Sequence, residues 1–372
     1  MRGDAKDMFD RRLVTHFDWS FVAAILGMAI LGILTIYSAN TMATSAFRKS
    51  LYLRQLVWAG VGTVGLIGAC LISYRTLGRF AYVIFGASVA LLVLVLVMGK
   101  SGLGAQRWIR IAGFAFQPSE FAKLGLVLFL ARYFDDHRNA IRDPRGLLLP
   151  VGLTALCMLL VLKQPDLGTA LLLGFITLGM LLLLGLHWRR LLPAIIGGGA
   201  LAPVLWMALK DYQRRRILVF LSPDLDPLGA GYHIAQSKIA VGSGGLFGKG
   251  WLAASQSQLN FLPLNHTDFV FAVLAEQWGF LGSLVVLVTY FYLITKGFQI
   301  ARDCTDLFAA LLATGISAML AVQVLINTAM VLGMMPVVGI PLPLLSYGGS
   351  SLLVTMLSLG LLLNIHMRRF MY

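Results

Sequence analysis

The sequence is organised as long apolar blocks separated by short polar stretches. Each block holds about 20 residues, mainly Leu, Val, Ile, Gly and Ala, enough for a helix to cross the roughly 30 Å hydrocarbon core of a bilayer. These continuous blocks lack the alternation typical of membrane barrel strands. The pattern predicts an all-α, polytopic integral membrane protein of about ten transmembrane helices, forming a single domain over residues 1–372. The expected spans are about 18–38, 53–72, 78–98, 119–134, 147–163, 167–186, 191–209, 269–295, 306–333 and 343–365.

Composition and charge support this class and orient the chain. Hydrophobic residues make up 58% and charged residues 12% of the sequence, whereas soluble domains carry about 25% charged residues. With a cytoplasmic N-terminus, 16 of the 30 Lys and Arg residues fall on the cytoplasmic side. Six of the other 14 belong to one long outer loop, about 210–268, and long loops count little in the positive-inside rule. Without that loop, 16 Lys and Arg residues lie on the cytoplasmic side and 8 lie elsewhere, which predicts that both termini are cytoplasmic.

Basic residues nevertheless gather at the mouths of the spans on the opposite, outer face. Two interpretations stay open, because attraction to anionic lipid headgroups and binding of a phosphorylated substrate both require such charge. The pattern does not predict a nucleic-acid partner, since these residues follow membrane mouths and form no known binding module. The basic residues concerned are Lys100, Arg107, Arg110, Lys123, Lys163, Lys210, Arg214, Arg215, Arg216, Lys238 and Lys249.

The first polar segment of the outer face joins residues 104–110 to the start of the fourth span. Pro118 is suited to a first helical turn, and Glu120 in that turn is favoured by the helix dipole. Lys123 follows Glu120 at i+3, so the two can pair. Either they only cap the helix and pair there, or Lys123 and Arg107 face a cavity and bind an anionic group. Trp108 is either an interface anchor or a stacking surface.

Two further segments offer polar groups on the same face. Asp166, between two apolar runs, either caps the next helix or faces a cavity, because an ionisable group at that depth needs a partner. The long loop carries glycines interleaved with Lys238, Ser243 and Lys249, a composition that can present backbone N–H groups to phosphate. The same composition also suits a plain flexible loop. Lys249 is not followed by Ser or Thr, which excludes a Walker A motif.

The last two segments place a carboxylate beside irregular backbone. Asp268 stands at the mouth of an apolar helix, where desolvation and nearby cations can tune its pKa for general base catalysis. Its alternative role is to cap that helix. Residues 336–351 are rich in proline and glycine and include Ser346. Irregular backbone at membrane depth is tolerated where it lines a cavity or is buried in protein, and we favour the cavity.

These segments together resemble the SEDS family of bacterial envelope proteins (shape, elongation, division and sporulation). The resemblance covers about residues 18–366, with its motifs in the same order along the chain. Residues 226–251 and 255–263 resemble the elongation branch of the family more than the division branch. The carrying motifs are GAQRW at 104–108, QPSEFAK at 117–123, QPDLGTA at 164–170, HTDFVFAV at 266–273 and GIPLPLLSYGGSS at 339–351.

The resemblance implies a ten-helix peptidoglycan glycosyltransferase of the bacterial cytoplasmic membrane, which polymerises lipid II at the outer face. It also implies a class B penicillin-binding protein and other elongation-complex membrane proteins as partners, besides bilayer lipid. The family's essential aspartate matches Asp268. Two positions depart from the family pattern, Gln277 where a second acid often follows Glu276, and Asn265 where an acid often precedes the HTDF motif. The substrate-binding candidates are Arg107, Trp108, Glu120, Lys123, Asp166, Lys238, Ser243, Lys249 and Ser346.

The expected reaction begins when Asp268 removes the proton from the 4-hydroxyl of an acceptor GlcNAc. That oxygen attacks the anomeric carbon of the donor MurNAc, and cations stabilise the leaving pyrophosphate. A divalent cation, Mg²⁺ or Mn²⁺, can share this work, although the sequence shows no ligand set. The rivals are a lipid II flippase, a division-type paralogue and a scaffold that only recruits the partner. Clustering of the polar residues at one face favours an enzyme over a flippase.

Overall fold

The computed structural model is a bundle of long helices joined by short connections and one longer, irregular connection. It describes residues 17–42, 45–98, 100–102, 105–111, 114–140, 143–186, 207, 211–222, 226, 229–258, 261–262 and 264–369. The elements are α1 (Trp19–Asn40), α2 (Ala46–Lys49), α3 (Leu51–Leu71), α4 (Tyr74–Arg79), α5 (Ala81–Met98), β1 (Lys100–Gly102), β2 (Ala105–Ile111), β3 (Phe114–Phe116), α6 (Pro118–Asp136), α7 (Pro144–Lys163), α8 (Leu167–Leu183), α9 (Asp211–Leu221), α10 (Ala230–Ser243), α11 (Ser255–Gln258), α12 (Val270–Asp303), α13 (Leu307–Val331) and α14 (Gly349–Arg368).

The helices confirm the predicted membrane class. Within the described residues, seven helical stretches are long and apolar enough to cross a bilayer, and α8 is a shorter apolar helix. Helix α6 fills a further predicted span, but it carries more charge than the others. Helices therefore occupy nine of the ten predicted spans. The tenth, about 191–209, lies outside the described residues except for position 207.

Aspartate caps set where several helices begin. Asp18 accepts a hydrogen bond from the Phe21 N–H of α1 at 3.1 Å, and Asp306 accepts one from the Phe308 N–H of α13 at 3.1 Å. Such caps satisfy backbone donors that have no partner inside the helix. Helix α6 instead begins at Pro118, whose missing N–H costs nothing in a first turn.

The C-terminal helices α13 and α14 form the centre of the bundle. Of their most apolar stretches, 72% and 89% of residues are buried, against 28% for α3 and 22% for α7, which present most of their surface outward. Glycines let α3 and α14 approach closely, since a Cβ at Gly360 would lie 2.6 Å from the Leu66 carbonyl oxygen. Helix α14 begins at Gly349, about six residues later than predicted, because residues 341–348 are not helical.

A small antiparallel sheet, β1-β2-β3, was not predicted and stands where the sequence suggested a polar loop. In the register, Lys100 pairs with Trp108 and Ile109 pairs with Phe116. Strands β1 and β3 have three residues each, too short to show the alternation by which half-buried strands are recognised, and the seven residues of β2, AQRWIRI, do not alternate strictly. The sheet leads directly into α6, and its middle strand, β2, contains Arg107.

The described residues of the long segment between about 210 and 268 form more regular structure than the sequence suggested. It contains α9 and α10, and the turns after α10 enter a break in α12 at Gly279, where φ is 67°. The Phe280 N–H donates to the Gly245 carbonyl at 2.8 Å, and the Lys249 N–H donates to the Glu276 carbonyl at 3.0 Å. The flexible-loop interpretation is therefore wrong for residues 244–250, because the broken helix supplies partners for their backbone groups.

Candidate active site

Asp268 lies in the turn that leads into α12, beside the irregular segment before α14. Its backbone carbonyl accepts a hydrogen bond from Asn327 Nδ2 at 3.0 Å, and the same nitrogen donates to the Ile340 carbonyl at 2.8 Å. A Cβ built on Gly339, whose φ is 73°, would stand 3.6 Å from Asp268 Oδ2. The backbone of residues 339–340 therefore forms one wall around the carboxylate.

The two residues before Asp268 are anchored to the same segment. Ser346 Oγ donates to the Thr267 carbonyl at 2.6 Å and accepts from the Leu342 N–H at 2.8 Å. The Tyr347 N–H donates to the His266 carbonyl at 2.8 Å. Ser346 was a substrate-binding candidate, and its hydroxyl here has two backbone partners. It thus contributes to the site by holding the HTDF turn in place.

Burial and charge together tune Asp268. Burial raises the pKa of its carboxyl to about 6, Arg216 and Arg107 oppose that rise, and Asp166 adds to it. The carboxylate consequently exists above about pH 6 and is a stronger base than an ordinary aspartate. The neighbouring His266 has its pKa lowered to about 4 by burial and by Arg48, so its imidazole is neutral at pH 7.

Arg107 and Asp166 form a second group near Asp268. Arg107 donates from Nε to the Gln164 carbonyl at 3.1 Å and from Nη2 to the Pro165 carbonyl, and its Nη1 lies 3.8 Å from Asp166 Oδ2. The Asp166 side chain is buried and caps α8, accepting from the Thr169 N–H at 3.2 Å. Asp166 therefore caps α8, as one of its two interpretations predicted, and also has Arg107 as a charge partner.

Glu120 and Lys123 form a buried ion pair at the start of α6. Lys123 Nζ lies 2.7 Å from Glu120 Oε2, and their side chains are only 2% and 3% exposed. Gln117 connects this helix start to Asp166 by a 3.5 Å hydrogen bond from Nε2 to Oδ2. The Glu120–Lys123 pair is therefore shielded from solvent and lies beside Arg107 and Asp166.

Arg216, on α9, completes the set of cations that act on Asp268. Its Nη1 donates to the Val337 carbonyl at 3.1 Å, so α9 lies against the irregular segment. A cavity beside it is lined by residues that include Pro165, Gln213 and Pro336. Arg216 is one of three consecutive arginines in the basic set of the outer face, and the structure distinguishes it from Arg215, which pairs with Asp226 at 3.3 Å.

Other candidates from the sequence lie in different surroundings. Lys249 Nζ pairs with the fully buried Glu276 at 2.7 Å. Ser243 donates to the Ala240 carbonyl of its own helix at 3.0 Å. Lys238 is exposed on α10, with its hydrocarbon chain against Gly333. In the described part of the chain, no hydrogen bond or ion pair joins Lys238 or Ser243 to Asp268. Trp108 lies half-buried in β2.

Two buried amides were missed in the sequence. Asn327 lies inside the apolar helix α13, and Gln55 lies near the start of α3, where its Nε2 donates to the Ser346 carbonyl at 3.1 Å. Polar residues inside a membrane helix are rare, which was the available signal. Among the described residues, no group of three or more His, Cys, Asp or Glu side chains comes together.

Comparison with known proteins places the chain in one family. The sequence matches the family FTSW_RODA_SPOVE, described as cell cycle protein, over residues 18–370. It is 41% identical to the peptidoglycan glycosyltransferase MrdB of Escherichia coli (strain K12) over 95% of this chain and 94% of that protein. It is 39% identical to a probable peptidoglycan glycosyltransferase FtsW of Trichlorobacter lovleyi, over 95% of this chain and 93% of that protein.

Solved structures give the same result. A chain from work on the structural coordination of polymerization and crosslinking by a peptidoglycan synthase complex has a TM-score of 0.78 and 36% identity, covering 96% of this chain and 99% of that one. The rod shape determining protein RodA of Thermus thermophilus has a TM-score of 0.69 and 35% identity, covering 95% of this chain and 98% of that one. The chain described here is a multi-pass membrane protein and belongs to the FTSW_RODA_SPOVE family.

Proposed function

We propose that this chain is a peptidoglycan glycosyltransferase that polymerises lipid II into β-1,4 glycan strands during cell elongation, with Asp268 as its general base. The observation that carries the proposal is a carboxylate whose pKa is raised to about 6 while Arg216 and Arg107 act on it. A base near neutral pH beside fixed cations suits a reaction that removes one proton and releases an anionic group. The names of curated relatives support the same reaction.

The reaction needs one base and one stabilised leaving group. Asp268 accepts the proton of the acceptor 4-hydroxyl, and the resulting oxygen forms a bond to the donor anomeric carbon. The bond from that carbon to the lipid pyrophosphate breaks, with inversion from α to β, and the pyrophosphate takes the electron pair. The proton then leaves Asp268 for solvent, which restores the carboxylate for the next sugar.

Cations held by the protein stabilise the charge on the leaving pyrophosphate. Arg216 and Arg107 both act electrostatically on Asp268 and are fixed by backbone carbonyls, so they are already oriented before substrate arrives. Fixed charges of this kind need no reorganisation during the reaction. We assign the buried Lys123 the same role, with Glu120 fixing its ammonium group in place.

A divalent cation, Mg²⁺ or Mn²⁺, belongs to the proposal as a further carrier of positive charge. Hard cations of this kind are commonly bound by one or two carboxylates, with substrate phosphates and water as the remaining ligands. Asp166, beside Arg107, would supply one carboxylate, with substrate phosphates and water as the other ligands, so that Asp268 keeps its role as the base. The cation, when bound, would neutralise charge on the pyrophosphate.

The proposal also covers place and partners. The count of Lys and Arg supports cytoplasmic termini and a site on the outer side of the bacterial cytoplasmic membrane. Similarity to a chain of a synthase complex that coordinates polymerization and crosslinking supports a class B penicillin-binding protein as partner. Other elongation-complex membrane proteins and surrounding lipid complete the expected contacts. The chain is 41% identical to MrdB and 39% identical to the probable FtsW, and the division-type paralogue is therefore the alternative to this proposal.

The test compares polymerisation with lipid movement in one preparation. The full-length chain and its Asp268→Asn variant, each with the transpeptidase partner, would be placed in vesicles containing labelled lipid II. We expect glycan from the parent, little from the variant, and no acceleration of lipid II translocation by either protein. Translocation without polymer would favour the flippase. Full polymer from the variant would exclude Asp268 as the base.

A further inference from the structure

Asn327 adjoins the proposed catalytic residue, although it cannot itself act as an acid or a base. Its side chain is fully buried inside α13. Its Nδ2 donates to the carbonyl oxygens of Asp268 at 3.0 Å and of Ile340 at 2.8 Å. One amide nitrogen therefore joins the turn before α12 to the irregular segment before α14.

The amide orientation follows from these two acceptors. A primary amide nitrogen carries two hydrogens, and here the two carbonyl oxygens use both of them. Turning the amide over would bring Oδ1 against both carbonyl oxygens, which is repulsive. Burying an asparagine in an apolar membrane helix is costly. The two hydrogen bonds from Nδ2 offset part of that cost at Asn327, whose Oδ1 is buried without a hydrogen-bond partner among the described residues.

The geometry around the carboxylate explains what this connection controls. The residue before Ile340 is Gly339, where a Cβ would lie at ordinary van der Waals distance, 3.6 Å, from Asp268 Oδ2, so the two residues are neighbours. Holding Ile340 to the Asp268 carbonyl therefore sets the distance between the carboxylate and this backbone wall. The charged groups that act on the same carboxylate, Arg216, Arg107 and Asp166, are held by other elements.

We propose that Asn327 is a positioning residue, which fixes the Asp268 carboxylate against the backbone of residues 339–340 by joining the carbonyls of Asp268 and Ile340. This inference rests on the proposed glycosyltransferase function. It follows from the demands of catalysis, because a reacting group displaced by about 1 Å loses on the order of 100-fold in rate. Asn327 does not contact the reacting atoms itself.

The chain supplies a matched control in Asn364, near the end of α14. Asn364 is also fully buried, and its Nδ2 donates to the carbonyls of Ala69, Cys70 and Ile72 at 3.1, 2.6 and 2.7 Å. It therefore matches Asn327 in residue type, burial and carbonyl acceptors, and its Oδ1 additionally accepts from the Tyr74 N–H at 3.2 Å. Its partners lie at the end of α3, away from the turn that holds Asp268.

The experiment uses the full-length chain with its transpeptidase partner and labelled lipid II. Asn327→Ala, Asn327→Ser and Asn364→Ala would be compared with the parent for unfolding in detergent, and for kcat and KM per folded molecule. Asn327→Ser retains one donor and keeps the test usable where the alanine variant folds poorly. The rate would also be followed against pH, since the acid limb reports the base.

We expect the Asn327 variants to lose about 100-fold in kcat with KM changed less than about threefold. We also expect their acid limb to move to lower pH, because a released carboxylate is better solvated and its pKa falls towards the ordinary value. Asn364→Ala should lose stability and retain both kcat and the acid limb.

Three outcomes would overturn the inference. The first is a folded Asn327 variant with the parent's kcat and acid limb. The second is an equal loss of kcat in Asn364→Ala, which would make the effect purely structural. The third is a loss confined to the amount of folded protein. A parent protein that makes no glycan would instead refute the proposed function, so the two failures are distinguishable.

Discussion

The buried ion pair between Glu120 and Lys123 gives the most quantitative prediction. The 2.7 Å separation and side-chain exposures of 2% and 3% leave almost no solvent screening. At an effective dielectric constant of about 20, two unit charges at such a distance attract by roughly 6 kcal/mol. Removing one partner leaves the other charge buried and uncompensated, which typically costs about 3–5 kcal/mol. Glu120→Gln should therefore lower the free energy of unfolding by about 3–5 kcal/mol.

The double variant separates stability from chemistry. Replacing both partners, as in Glu120→Gln with Lys123→Met, removes the uncompensated charge and should recover most of that stability. Activity should remain low, since the Lys123 ammonium is proposed to act on the leaving pyrophosphate. Denaturant unfolding in detergent and glycan synthesis per folded molecule measure the two effects separately.

The opposite end of α6 provides the control for this prediction. Arg132 and Asp136 form a partly exposed pair at 2.9 Å, with side chains 34% and 30% exposed, and Asp136 Oδ2 also accepts from the Tyr82 hydroxyl at 2.8 Å, an acceptor that asparagine retains. Exposed pairs contribute at most about 1 kcal/mol, so Asp136→Asn should change stability little. A Glu120→Gln variant as stable as the parent, or no more affected than Asp136→Asn, would refute the reasoning from burial.

The remaining predictions concern the pH dependence and two further ion pairs. Polymer formation at saturating lipid II should fall about tenfold per pH unit below about pH 6, because only the ionised Asp268 carboxylate accepts the proton. A rate that stays flat down to about pH 5 would contradict the raised pKa of Asp268. Arg107→Lys keeps the charge but not the planar donors that bind two carbonyls beside Asp166, so kcat/KM should drop about tenfold in steady-state assays. Lys249→Met should cost about 1–3 kcal/mol in denaturant unfolding through the buried Glu276, and an unchanged midpoint would oppose this.

The positions of the membrane helices were predictable from the sequence. Hydrophobic length alone identifies a span, since a bilayer imposes the same thickness on every helix. The HTDF turn could also be located, because it stands where a polar segment gives way to a long apolar helix. Assigning Asp268 its chemistry needed more than the pattern, since an N-cap aspartate has the same sequence signature.

Features that depend on distant partners could not be predicted. The break at Gly279 exists because residues 244–250 supply hydrogen bonds across it, and no local signal links these segments. The placement of Lys249 follows from the same contact, since it brings the ammonium to Glu276. The role of Ser346 likewise depends on backbone groups of Thr267 and Leu342.

The short sheet at residues 100–116 shows a different limit. Its strands gain their hydrogen bonds from one another, yet β1 and β3 are too short to carry a periodic pattern and the seven residues of β2 do not alternate strictly. Arg107 was therefore identified by its charge and position in a motif, while its carbonyl partners, Gln164 and Pro165, became visible only in the fold. Chemistry-bearing residue types were predictable here, and their partners were not.

The most direct test of the central claim is the rate of glycan synthesis by Asp268→Asn in the purified complex with its transpeptidase partner. The substitution keeps the side-chain size and removes the basic oxygen. Asp306→Asn, at the cap of α13, controls for loss of an aspartate elsewhere in the bundle. The account predicts that Asp268→Asn lowers kcat by about 10²–10⁴ while the protein stays folded and Asp306→Asn remains active. Glycan of parental length and rate from Asp268→Asn would contradict it.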